Sequence, residues 1–152
     1  MAQSSSVKTG WIVMFIMGIY VAVVGLLWIF ATEAMSARDF LVFAGESWSD
    51  FATNNPKPAE LMIISDRLTG AMFVVIGIVV AMMAWNAYSK AEKWAWYTAL
   101  FVGILGWGSA MAYQVTIASP SGVVLAIIGI ALFLIGLVIP AKAILGGKTP
   151  GK

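Results

Sequence analysis

The sequence predicts an all-α protein, a bundle of four transmembrane helices with a short interfacial helix in the first outer loop. Three observations predict it. The 152 residues are 61% hydrophobic and only 11% charged, whereas soluble domains carry about 25% charged residues. Four apolar runs, about 11–31, 61–88, 93–115 and 121–145, are each long enough to cross the ~30 Å hydrocarbon core, which takes about 20 residues. Alternation of period two is missing, so helices rather than a barrel must satisfy the backbone in lipid. The chain, 1–152, reads as a single integral membrane domain with an outer loop at 32–60.

The first run opens at Trp11 behind Lys8. It lasts about 20 residues, beyond the usual 7–15 of a signal h-region, and so reads as a retained span. The connection after it, "SARDFLVFAGESWSDFATNNPKP", offers an N-cap at Ser36 with Asp39 three residues on, a weaker capping box. Phe40, Leu41, Phe43, Trp48 and Phe51 make it too apolar for a free loop. It predicts a helix lying on the outer membrane surface or folded over the bundle, ended by Asn54-Asn55-Pro56 and Pro58.

Orientation follows from the connections. Lys8 precedes the first span, Lys90 and Lys93 join the second to the third, and Lys142, Lys148 and Lys152 close the chain. The first connection holds five acids (Glu33, Asp39, Glu46, Asp50, Glu60) against Arg38 and Lys57, and the third, at Ser119-Pro120, is uncharged. The positive-inside rule then predicts a multi-pass protein of the cell membrane with both termini cytoplasmic. Trp11, Trp85, Tyr88, Trp94 and Trp96 would form the inner aromatic belt, and Trp28 and Tyr113 would mark the outer one.

Glycines recur seven residues apart: Gly18 and Gly25; Gly70 and Gly77; Gly122, Gly129 and Gly136. Seven residues is close to two turns, so each set lines one stripe, and small residues let membrane helices approach closely. In the third span Gly103, Gly106 and Gly108 surround Trp107 and are expected to make room for its indole.

The second span carries two adjacent opposite charges, Asp66 and Arg67. At roughly 100° per residue, Asp66 falls within about 40° of Gly70 and Gly77, while Arg67 stands near 80° from Gly77. Neighbours in sequence do not face one another on a helix. Asp66 is therefore expected to point into the bundle, and Arg67 to lean toward a neighbour or snorkel outward. Glu33, Tyr113 and Gln114 sit at similar depth, giving a candidate polar cluster of Asp66, Arg67, Glu33, Tyr113 and Gln114. An ionisable group in a span is a functional hypothesis by default, set here against structural pairing near the outer end.

Cysteine and histidine are absent. That excludes disulfides, thiol redox chemistry and Cys/His metal or haem sites, and removes the usual general base. No catalytic residue, metal site or cofactor is predicted. No basic patch with interleaved aromatics supports nucleic-acid binding. The expected partners are the lipid bilayer and either further copies of the chain or a larger membrane complex.

"DRLTGAMFVVIG" early in the second span and "YSKAEKWAWY" at the turn into the third resemble the DoxX-like group of small four-helix membrane proteins of bacteria and archaea. Most of that group has no established activity. Some members resemble subunits tied to quinone-linked sulfur oxidation, so the resemblance implies a quinone-linked redox subunit as one alternative. The sequence as a whole reads as a non-enzymatic accessory or packing component. A small-solute or ion transporter, with Asp66 and Arg67 at an outer-facing cavity, is the other alternative.

Overall fold

In a computed structural model of the protein, residues 4–146 are described; Lys148 and Lys152 lie outside them. The described chain forms six helices: α1 (Ser5–Phe30), α2 (Thr32–Ala44), α3 (Trp48–Asn54), α4 (Pro56–Asn86), α5 (Lys93–Thr116) and α6 (Pro120–Leu145). A 3-10 turn at Tyr88–Lys90 joins α4 to α5. Four of them, α1, α4, α5 and α6, are long and apolar enough to cross a membrane. The protein is a small polytopic membrane protein with an all-α bundle.

The first connection differs from expectation. It contains two helices, not one, and Ser36 lies inside α2 rather than at its start. The Ser-x-x-Asp spacing occurs twice, and the second copy is the cap. Ser47 Oγ accepts from the Asp50 amide at 3.1 Å and donates to its carboxylate at 2.6 Å, so it opens α3. Gly45 ends α2 in the left-handed region, φ 75°. Pro56 and Pro58 do not precede α4 but occupy its first turn, where a missing N–H costs nothing. α4 thus starts five residues earlier than the apolar pattern alone implies. Its uncharged run, Leu68–Asn86, is 19 residues long and matches the ~30 Å core. Asp66 and Arg67 therefore stand at the boundary of that uncharged run rather than within it.

Helix α1 is the hub. It packs along α4 on one side and α6 on the other; α5 packs on α6; α4 and α5 scarcely approach each other. Glycine notches set all three antiparallel contacts. Gly18 meets Gly77 and Gly25 meets Gly70 backbone to backbone: a Cβ on Gly25 would lie 2.6 Å from the Gly70 carbonyl oxygen, and one on Gly77 would lie 2.5 Å from that of Gly18. On the other side of α1, Gly10 receives the Pro140 ring and Gly136 receives Met14. Between α5 and α6, Gly122 accommodates Gln114, Gly129 accommodates Trp107 and Gly103 accommodates Phe133. The space for the Trp107 indole thus comes from α6, and Gly106 and Gly108 face open space.

The end of the bundle where α4 turns into α5 is closed by aromatics that the sequence assigned to the interface. Pro140 lies inside α6 and has no N–H to give the Gly136 carbonyl. The Tyr88 hydroxyl donates to that carbonyl at 2.8 Å, fully buried. Trp96 Nε1 donates to the next one, Leu137, at 2.9 Å. Tyr88 and Trp96 are props for a proline-interrupted helix, not belt residues. Trp28, expected at the outer belt, is buried against Gly70. Lys8, Lys90, Lys93 and Lys142 lie at the same end of the bundle as this cluster and are exposed.

Candidate functional site

The opposite end of the bundle, where α1 gives way to α2, is built by α2. The chain bends at Ala31, and the Thr32 hydroxyl takes up carbonyls at the end of α1, donating to Trp28 at 2.6 Å and Ile29 at 3.0 Å. From there Thr32, Ser36 and Asp39 repeat at helical spacing, and all three are buried. Leu41, Val42 and Phe43 are exposed. Helix α2 thus turns Thr32, Ser36 and Asp39 inward while Leu41, Val42 and Phe43 near its end face outward.

That inner face ties three elements together. Ser36 Oγ donates to Asp66 Oδ2 of α4 at 2.6 Å, and it also bonds the Thr32 carbonyl at 2.9 Å. Asp39 Oδ1 accepts from Arg38 Nε and Nη2 at 3.0 and 2.9 Å, and from Ser119 Oγ, the N-cap of α6, at 3.0 Å. An acid beside a helix N-terminus is electrostatically favoured. Asp39 Oδ2 and Gln114 Oε1 are buried without a protein hydrogen-bond partner.

The five sequence-predicted residues do not converge on one point. Asp66, half-buried, is held by Ser36, a partner that sequence reasoning had used as a cap. Tyr113 is exposed near the Thr116 end of α5. Gln114 packs its carboxamide over Gly122. Glu33 and Arg67 are exposed and line a separate groove of about 500 Å³, with Trp48 of α3 and Glu60, Ile63 and Ile64 of α4. Neighbours in sequence, Asp66 and Arg67 serve different places.

Asp39 and Ser36 are the residues that sequence reasoning missed. Their signal was the 32-36-39 spacing of polar residues, the mark of one helical face. Among the described residues, no three acidic side chains group to hold a metal. No family model, curated protein or solved structure matches this chain.

Proposed function

We propose that this chain is a non-enzymatic packing or accessory component that associates through α5 with further copies of itself or with a larger membrane complex. One observation carries the reading. α5 rests mainly on α6, with the Trp107 ring also stacked on Tyr20 of α1, and scarcely touches α4. Its outward surface combines Phe101, Ile104 and Leu105 with the uncovered Gly108 on one helical face. Glycines on a lipid-facing surface contribute little to a lone helix, but they let a second helix approach closely. The polar residues at the outer end agree, because Asp66 and Asp39 act as acceptors that fasten α2 to α4 and α6.

The deciding experiment is the mass of the chain purified in mild detergent. An oligomer, or a stoichiometric partner chain, lost in Gly108→Leu but kept in Val79→Leu on the exposed face of α4, supports the reading. A monomer that captures no partner refutes it.

Both termini are placed in the cytoplasm of the cell membrane by the same reading, since Lys8, Lys90, Lys93 and Lys142 share one end. Membership of the DoxX-like group remains a proposal resting on "DRLTGAMFVVIG" and "YSKAEKWAWY". Two residues of the second motif, Tyr88 and Trp96, support the broken turn of α6. A transporter reading has the outer groove in its favour, though Asp66 does not line it and the core below is apolar. The quinone-linked reading rests on the family resemblance alone.

A further inference from the structure

The groove between α2, α3 and α4 holds one guanidinium and two carboxylates that do not neutralise one another. Among the described residues Arg67 makes no ion pair, and Glu60 meets only Lys57, at 3.6 Å and exposed to solvent. The adjacent acid, Asp66, is engaged by Ser36. An unpaired, exposed arginine at the rim of a span is free to take an anion.

Depth says which anion. Below Arg67 the helix is uncharged to Asn86, so the guanidinium stands where the hydrocarbon ends and lipid phosphates begin. Arginine's planar fork suits a phosphodiester. Glu60 lies two turns nearer the water on the same face, about 10 Å along the axis, and Glu33 reaches the groove from α2. The order from lipid to water is therefore cation, then acids, which is complementary to phosphate, then ammonium. Below the groove and to one side of Arg67, Leu68, Met72, Val75, Val79 and Met82 are all exposed and, at spacings of three and four, form one continuous apolar track for an acyl chain.

We propose that this groove binds the headgroup of an aminophospholipid of the phosphatidylethanolamine type, with Arg67 on the phosphate and Glu33 and Glu60 on the ammonium. The carboxylates hydrogen-bond a primary ammonium. A quaternary choline has no N–H for them, and Trp48 alone is not an aromatic cage.

The test is native mass spectrometry of the full chain in mild detergent, offered phosphatidylethanolamine, phosphatidylcholine and phosphatidylglycerol with identical acyl chains. Phosphatidylethanolamine should be retained over the other two by about tenfold, the scale of one charge-assisted hydrogen bond. Arg67→Gln should abolish that preference. Glu33→Gln with Glu60→Gln should shift it toward phosphatidylglycerol. All three side chains are exposed, and Glu33→Gln alone, distant from the α1–α4 seam, should still reduce the preference. Equal retention of the three lipids overturns the proposal, as does an unchanged preference in Arg67→Gln. Tight binding of soluble phosphoethanolamine with no lipid retained would assign the groove to a free phosphomonoester and overturn it too. These outcomes concern lipid selectivity and are read separately from the oligomer mass.

Discussion

Replacing Tyr88 by Phe removes one hydroxyl from a site with no access to water. The Gly136 carbonyl then loses its donor, because the helical donor four residues on is Pro140, which has none. A buried acceptor left unpaired costs about 1–3 kcal/mol. Interhelical hydrogen bonds measured in a membrane protein average ~0.6 and reach ~1.7 kcal/mol. With no backbone alternative here, Tyr88→Phe should cost about 1.5 kcal/mol, at the upper end. Pro140→Ala supplies an N–H for Gly136, so in that background the same change should cost about 0.5 kcal/mol or less, a coupling near 1 kcal/mol in the sense of a double-mutant cycle. The loss of the proline ring against Gly10 is common to both arms and cancels. The assay is reversible unfolding in mixed micelles, followed by circular dichroism. Equal costs of Tyr88→Phe in the two backgrounds would refute the role assigned to the phenol.

Other outcomes follow from the packing. Gly77→Val should separate α1 from α4 and destabilise the fold by at least the 1–3 kcal/mol typical of overpacking, whereas Gly108→Ala should leave monomer stability within about 0.5 kcal/mol; both are read by the same unfolding assay. Ser36→Ala should cost about 1–2 kcal/mol, as a hydrogen bond to a charged group is lost, and should speed amide exchange in Thr32–Ala44; unchanged protection there would count against Ser36 as the tether. Ala118 closes the turn between α5 and α6 at φ 54°, a conformation that costs an L-residue roughly 1–2 kcal/mol. Ala118→Gly should therefore raise stability by up to about 1 kcal/mol, net of glycine's greater unfolded entropy, seen as a higher melting temperature in detergent.

The spans and their glycine faces were legible because lipid imposes simple rules: length for crossing, small residues for contact. Gly18, Gly25, Gly70 and Gly77 fall on the predicted stripes and meet each other. The orientation of Asp66 away from Arg67 was also legible from helical geometry. What escaped was tertiary. Nothing local distinguishes Ser36-Asp39 from Ser47-Asp50 as a cap; the difference is that α2 continues from α1 after a single-residue bend. Tyr88 and Trp96 looked like belt aromatics because the carbonyls they satisfy, on α6, lie more than 40 positions away in sequence. The groove was hidden because its walls come from three helices, one of which, α3, is only seven residues long.

The central place of α1 has a bearing on biosynthesis. The helix made first is the one that both α4 and α6 must find. At ~5–20 residues per second, Pro140 is added several seconds or more after its partner Gly10 has left the ribosome. Over that interval α1 can pair with α4 through the Gly18–Gly77 and Gly25–Gly70 seam, while its other flank stays uncovered. The α5–α6 hairpin, already keyed together by Trp107 and Phe133, is then the unit that docks last. A chain stalled before α6 would show the membrane an unfilled face around Gly10 and Met14, a surface for quality control to recognise.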